Sequence, residues 1–286
     1  MTRTKPGNLP LQVLLQGEYV RVYQLRSGMN DLSVIPHRHD HYELMIVTAA
    51  NGQHQINFRS YDLQSGRVFF LFPGQVHVIG DFDRDGWLVL FGEELFNRFS
   101  TLHPREIGSG LLDTFTNFPY VDLNIEEAKS YNFLIQAIQQ ELAKSRQDVS
   151  ILLHYVSLLL LQANRAHLSQ HPQPVLIPKE KEILSSLKQL IEDHYQIQHS
   201  IRFYANELAL PVRQLNKICR NSMGRTAYEI LQERLLTESK VLLYTSSLSV
   251  KEVAYRLGFE DPAYFGRFFK KYTGYTPALF RARRAL

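Results

Sequence analysis

From Leu11 to about Phe91 the chain alternates short apolar runs with turn signals. The runs are Tyr19–Leu25, Tyr42–Thr48, Gln53–Phe58, Val68–Phe72, Gln75–Ile79 and Trp87–Phe91. Between them stand Ser27-Gly28, Asn51-Gly52, Ser65-Gly66, Pro73-Gly74 and Asp85-Gly86. Short strands at this spacing predict a small antiparallel barrel or sandwich. The period changes after Phe91. Ile125, Ala128, Phe133, Ile135, Ile138 and Leu142 predict a helix over Asn124–Lys144. A second helix is predicted from about Val149 to His167, with Leu152, Val156, Leu159 and Leu160 on one side and Leu153, Leu158 and Leu161 widening the stripe. A helix this apolar must be buried, in its own core or against a second copy of the chain. The core is the preferred reading, and a homodimer through the helix pair is the alternative.

Pro172, Pro174 and Pro178 then interrupt any helix and mark a linker over residues 170–178. Beyond it every segment reads as helical. Ile183, Leu184, Leu187, Leu190 and Ile191 make an amphipathic first helix. Short helices follow at Ile201–Leu208 and Val212–Asn221, a long one at Ala227–Tyr244, and two more at Val250–Leu257 and Pro262–Tyr272. The expected fold class is therefore α+β. Residues 1–122 are expected to form a barrel, 123–169 a helix pair, 170–178 a linker and 179–286 an all-α domain.

The chain's 286 residues suit about two domains. Its net charge of +4 is uneven. Residues 178–286 hold 18 Lys/Arg against 11 Asp/Glu, whereas residues 1–177 hold 14 against 17. A basic C-terminal part suggests a polyanion partner for that part alone. No apolar run approaches the ~20 residues that cross a bilayer, and Met1–Pro10 lacks the apolar core of a signal peptide. Cys219 is the single cysteine, which excludes an internal disulfide framework. A cytoplasmic protein with no membrane partner is expected.

The chemistry of the C-terminal part lies in two helices. Arg213, Asn216, Lys217 and Arg220 fall at i, i+3, i+4 and i+7 and share one face, opposite Val212, Leu215, Ile218 and Cys219. An apolar back and a basic, amide-bearing front suit a helix that lies on a core and enters a major groove, where Arg reads guanine and Asn reads adenine. The pattern recurs. Phe265, Phe268, Phe269 and Tyr272 back a helix whose front carries Ala263, Gly266, Arg267, Lys270 and Lys271. Asp261 and Pro262 suit its first turn, and Gly258 supplies the preceding turn. The helix between the two units spans ~27 Å at 1.5 Å per residue, close to one DNA turn of ~34 Å. Two matched units at groove spacing set double-stranded DNA above a generic helical bundle as the reading.

The run from Leu248 through Gly258, Asp261-Pro262, Arg267 and Gly274 to Arg281 resembles the signature of AraC/XylS-type transcription regulators. That family joins a cupin-like effector domain to a double helix-turn-helix. The resemblance implies base contacts at Arg213, Asn216 and Lys217 in the first unit. In the second it implies Pro262, Ala263, Tyr264 and Arg267, with Arg267 favoured because Pro262 and Ala263 offer no side-chain hydrogen bond. Arg220, Lys240, Lys270 and Lys271 then read as phosphate contacts, which position without specifying, or as solvated charges. The first unit departs from the pattern. Pro211 replaces the usual Ser or Thr cap, at a cost of about 1 kcal/mol, and Cys219 replaces a usual aromatic and reads as a core thiol.

The second informative segment is Pro36-His37-Arg38-His39-Asp40-His41-Tyr42-Glu43, followed by Pro73-Gly74-Gln75-Val76-His77. On a strand His37, His39, His41 and Glu43 share one face. The spacing resembles the two cupin motifs, whose metal-binding members would use His37, His39, Glu43 and His77. Gly52 comes later than that motif's usual glycine. Three readings stay open. The preferred one is an effector pocket of His37, Arg38, His39, Glu43 and His77 without metal or other cofactor, with Tyr23, Tyr42 and Trp87 lining the mouth. The others are a metal site of Fe, Mn, Ni or Zn, and histidines that only satisfy hydrogen bonds. The expected function is a regulator, an activator by resemblance, that binds DNA under control of a sugar or other metabolite and contacts RNA polymerase. It is expected not to be an enzyme. The alternatives are a metal-dependent cupin enzyme with an accessory helical domain, and nonspecific DNA association.

Overall fold

The computed structural model describes residues 11–12, 19–26, 36–79, 84–172 and 178–282. The expected turn at Ser27-Gly28 and most of the expected linker lie outside the described residues. The chain divides into two compact units, one ending at Pro172 and the other reaching the C-terminus.

The first unit holds β1 (Leu11–Gln12), β2 (Val20–Leu25), β3 (Arg38–His39), β4 (Tyr42–Ala50), β5 (Gln53–Ile56), β6 (Arg59–Asp62), β7 (Arg67–Leu71), β8 (His77–Ile79), β9 (Arg84–Phe91) and β10 (Tyr120–Asp122). A five-stranded antiparallel sheet runs β10-β7-β4-β9-β2, and a three-stranded one runs β6-β5-β8. Two further short strands, β1 and β3, pair in parallel. Helices α1 (Glu93–Leu102), α2 (Ile125–Leu142) and α3 (Val149–Gln170) complete the unit.

The large sheet is buried on both faces, so its central strands are nearly continuous apolar runs rather than alternating ones. Residues 43–47 and all of β7 are buried. One face (Leu44, Ile46, Val68, Phe70, Val89 and Phe91) packs on the helices. The other face (Met45, Val47, Phe69, Leu71 and half-buried Leu88) meets Ile56 and Ile79 of the small sheet. Two layers of core thus share one sheet.

Three elements were not legible in the pattern. Strand β6 is polar, and it exists because Asn57 (φ 49°) and Phe58 (φ 65°) both adopt the left-handed region and reverse the chain, as a two-residue hairpin turn requires. The expected strand Gln53–Phe58 therefore stops at Ile56. Strand β10 is only three residues long and is defined by pairing with β7. Helix α1 buries Leu95, Phe96 and Phe99 in a sequence too short for a clear period.

Helix α2 starts at a capping box in which Asn124 and Glu127 satisfy each other's backbone N–H groups. Its buried face is Tyr131, Leu134, Ile135 and Ile138, whereas Ile125 and Phe133, expected on the apolar stripe, are exposed. Helix α3 buries Leu152, Val156, Leu159, Leu160 and Ala163 completely. Among the described residues it is the one helix long and apolar enough to cross a bilayer. Half of that apolar window is nevertheless buried inside the protein, as a core helix requires.

The second unit is α4 (Pro178–His194), α5 (Ile201–Glu207), α6 (Val212–Met223), α7 (Ala227–Thr245), α8 (Val250–Arg256), α9 (Pro262–Thr273) and α10 (Pro277–Ala282). Its core contains Leu187, Ile191, Tyr204, Leu215, Ile230, Leu231, Leu235, Phe265 and Phe269. Arg234 ties α7 to α4. Its guanidinium lies 2.9 Å from Glu192, 3.1 Å from Glu238 and 4.0 Å over the Tyr195 ring.

The pairs α5–α6 and α8–α9 are the same motif written twice. The burial pattern of residues 211–220 recurs residue for residue at 261–270. Both third helices end on a left-handed glycine, Gly224 (φ 66°) and Gly274 (φ 79°). Corresponding backbone bonds close the two turns, Leu210 N–H to Ala205 O at 2.9 Å and Phe259 N–H to Ala254 O at 3.0 Å. The turn residue is left-handed in both, Ala209 (φ 51°) and Gly258 (φ 75°). Only the second is glycine, and a Cβ at Gly258 would collide with the backbone carbonyl of Gln196.

Substitutions at the two turns should therefore have opposite signs. Gly258→Ala combines left-handed strain with a backbone collision and should destabilise by about 2–4 kcal/mol. Ala209→Gly relieves strain and should stabilise by about 0.5–1 kcal/mol. Urea unfolding followed by circular dichroism measures both. A Gly258→Ala midpoint equal to wild type would contradict the turn geometry.

Candidate functional site

The first candidate site is the pair of exposed third-helix faces. On α6, Leu215, Ile218 and Cys219 are buried and Arg213, Gln214, Lys217 and Arg220 are exposed. Burial pushes the Cys219 thiol up to about 11, which fits a packed core residue rather than a reactive one. Asn216 differs from its expected neighbours. It is half-buried, and its side-chain oxygen accepts the Ala227 N–H at 3.0 Å. Asn216 thus holds the start of α7 and would reach a base only by giving up that bond. Gln214 was missed in the sequence. It is exposed beside Arg213 and takes the place that Tyr264 has in the second unit.

On α9, Ala263, Tyr264, Arg267, Lys270 and Lys271 are exposed and Phe265, Phe268 and Phe269 are buried. Asp261 caps the helix, accepting the Ala263 N–H at 2.8 Å and the Tyr264 N–H at 3.1 Å. The same carboxylate lies 3.5 Å from the Arg267 guanidinium, which also sits over the Tyr264 ring at 5.8 Å. The capping carboxylate is therefore also the neighbour of the Arg267 side chain. Lys240 is half-buried on α7.

The second candidate site is a cluster of imidazoles inside the first unit. Register places it. Glu43 alternates with Leu44, so it shares the inner face of β4 with Met45 and Val47. His54 and His77 lie on the facing small sheet, where His77 pairs with Ile56 and His54 with Ile79. His37 forms a two-way backbone bridge with His77, each bond 3.0 Å, and His39 accepts the Gly74 N–H at 2.9 Å. The two expected motifs are thus joined by backbone hydrogen bonds.

All six side chains of His37, His39, His41, Glu43, His54 and His77 are buried. Ring centres of His37 and His77 are 4.2 Å apart, His39 and His41 4.4 Å, and His39 and His77 5.0 Å. His54 Nε2 and His77 Nδ1 share a hydrogen bond of 3.0 Å. Burial lowers His39 and His54 to about 3, His77 well below its usual value, and His41 in the same direction. These four rings are neutral at physiological pH. One donor atom each from His39, His41 and Glu43 lies within 4.8 Å of the others.

His41 and His54 were not among the expected pocket residues. The alternation with His37 and His39 was the available signal for His41, and only the β5–β8 pairing brings in His54. Arg38 is half-buried, and alternation turns it away from its neighbours His37 and His39. Tyr42 and Trp87 are corrected. Both pack on the helix-facing side of the sheet, with Tyr42 stacked on Phe96 at 4.0 Å, because Tyr42 and Glu43 must point to opposite faces. Tyr23 is exposed on β2 and accepts a 2.7 Å hydrogen bond from Arg21. Arg21 is in register with Leu90, which is in register with Glu43.

The duplicated helix-turn-helix, with exposed basic third helices on an apolar core, defines a sequence-specific DNA-binding regulator. Comparison with known proteins agrees. Residues 204–283 match the helix-turn-helix domain family and residues 20–90 the AraC-like ligand binding domain family. The transcriptional activator RhaR of Mannheimia succiniciproducens is 25% identical over 248 residues, covering 86% of this chain and 87% of the relative. The HTH-type regulator YfiF of Bacillus subtilis is 23% identical over 258 residues, covering 88% and 80%. The solved structure of ToxT from Vibrio cholerae aligns over 93% of this chain and all of that one, at 13% identity and a TM-score of 0.47. The chain belongs to the AraC-type transcription regulators.

Removing the shared carboxylate tests the second unit's geometry. Asp261→Ala loses the cap and should lower stability by about 1 kcal/mol. Asp261→Asn keeps a cap acceptor and should lose less. Equal urea midpoints for the alanine variant and wild type would show that Asp261 does not hold α9.

Proposed function

We propose that this protein is a cytoplasmic transcription activator whose operator binding responds to a small organic molecule, a sugar or other metabolite, held in its N-terminal unit. The observation that carries the DNA half is the repeated burial pattern of α6 and α9. Two faces of one design, joined by a helix of 19 residues that spans ~28 Å, suit successive major grooves on one side of a duplex. Arg213, Lys217 and Arg267 are the proposed base-reading residues, joined by Tyr264, and by Asn216 where its bond to α7 opens. Arg220, Lys240, Lys270 and Lys271 are proposed to meet phosphates.

The ligand half rests on the polar end of the inner sheet face. His37, His39, Glu43 and His77 line it together with His41 and His54, and Arg38 stands at its edge. Most of the interior is filled with apolar side chains, so the proposed ligand sits at the mouth. Occupancy shifts the protein only if the ligand binds its two states with different affinity. The relative RhaR is a transcriptional activator, which favours that sign of control. Contact with RNA polymerase and a homodimer, paired through α2 and α3, complete the proposal, in which residues 1–122 sense, 123–169 pair, 170–178 link and 179–286 bind DNA. The protein acts by binding, without catalysis.

Selection of duplexes from a random pool by the full-length protein should enrich one sequence. On that duplex, Arg213→Ala and Arg267→Ala should each cost about 1–3 kcal/mol and relax one base position, whereas Lys270→Ala should weaken all duplexes alike and lower the salt slope by about 1. An unenriched pool with a steep salt dependence would leave only nonspecific association.

A thermal-shift screen of sugars and metabolites should find one compound that raises the melting temperature with concentration, since a ligand of the folded state must stabilise it. A flat response across the screen would remove the support for these classes of effector.

A further inference from the structure

We propose that His39, His41 and Glu43 bind one first-row divalent transition-metal ion inside the N-terminal unit. The inference goes beyond the effector reading and does not depend on it.

The argument turns on where the imidazole protons sit. His39 Nδ1 is 2.7 Å from the backbone oxygen of His41. A carbonyl only accepts, so Nδ1 carries the proton and donates. His41 Nδ1 is 3.2 Å from Asp40 Oδ1, and an ionised carboxylate likewise only accepts. A neutral imidazole has one N–H. On both rings Nε2 is therefore a bare lone pair. Both Nε2 atoms are buried and neither has a hydrogen-bond partner.

A carboxylate lies beside these two residues in the same buried space. His39 Nε2 is 3.6 Å from Glu43 Oε2, and one donor atom from each of His39, His41 and Glu43 lies within 4.8 Å of the other two. A buried acceptor left without a donor costs about 1–3 kcal/mol. Here two such acceptors lie beside an acid side chain, and one cation satisfies both while meeting the carboxylate's charge. Metal–nitrogen distances of ~2.0–2.1 Å place ligand atoms ~3.3 Å apart around a tetrahedral ion. The rings of His39 and His41 are stacked with their planes 17° apart, so at least one ring turns about its side-chain bonds to bring both lone pairs onto one ion.

The donors select the class of ion. Two imidazoles and one carboxylate suit zinc, nickel, iron or manganese, and magnesium or calcium would prefer oxygens alone. The outer contacts suit it too. Asp40 and a backbone carbonyl each fix an Nδ1–H, the usual way a ligating histidine is oriented and made more basic. His77 borders the site, and its own Nε2 is buried without a partner. The donor trio replaces the His37, His39, Glu43 and His77 set implied by the cupin motif.

The test uses full-length protein stripped with chelator and dialysed. Zinc is titrated by calorimetry, and cobalt by visible absorption, which reports a nitrogen- and oxygen-bound ion directly. Wild type should take one equivalent of either ion. His39→Ala should lose at least about 100-fold in affinity, and Asp40→Ala, which removes the acceptor that orients His41, about 10-fold. His154→Ala, on the exposed side of α3, should bind as wild type. Circular dichroism checks that each variant is folded. No uptake by wild type, or wild-type affinity in His39→Ala, overturns the proposal. Should His39→Ala fail to fold, Asp40→Ala decides alone, and unchanged affinity there overturns it.

Discussion

Strand β4 is buried on both faces, and the N-terminal unit depends on that. Its odd-numbered inner residues and even-numbered outer residues belong to different cores. A one-residue slip would exchange the two sets and put Glu43 against the helices. The apolar cost of such a slip fixes the register far more strongly than any polar contact could. The carboxylate is therefore held in place by Leu44, Met45, Ile46 and Val47 rather than by its own partners. The same constraint sends Tyr42 to the aromatic stack with Phe91 and Phe96, away from the histidines it adjoins in sequence.

The histidines owe their neutrality to the same burial. Desolvation is the largest influence on His39, His41, His54 and His77, and the neighbouring rings add to it. A site of this kind is expensive if it has no occupant, because buried polar atoms without partners weaken the fold. That tension is what makes the cluster informative. Apolar side chains of similar size would pack there at lower cost.

The C-terminal unit solves a different problem with one repeated part. Leu215, Ile218 and Cys219 recur as Phe265, Phe268 and Phe269 in burial but not in size. The exposed sides are then free to differ. Asn216 has a side chain bonded to α7 where Gly266 has none, and Pro211 caps nothing where Asp261 caps two N–H groups. The second third-helix is the better anchored of the two, and its cap is also the neighbour of Arg267. One carboxylate there both caps the helix and faces Arg267.

Much of this was legible along the chain. Helical periodicity located α2 to α9 to within a few residues, with the exception of the start of α4, because each helix's pattern is local. Alternating histidines at 37, 39 and 41 announced a polar inner face, because the two-residue period of a strand is also local. What stayed hidden depended on partners distant in sequence. Polar β6 exists through a hairpin turn, β10 through β7, and α1 through a core assembled from three helices. Phe133 read as core until Tyr131 and Leu134 were seen to take that side. The sequence by itself determined two units, their classes and the repeated DNA-binding part. Only the tertiary structure decided which histidines meet, because His39, His54 and His77 converge through backbone pairing between strands, and no local pattern encodes that distance.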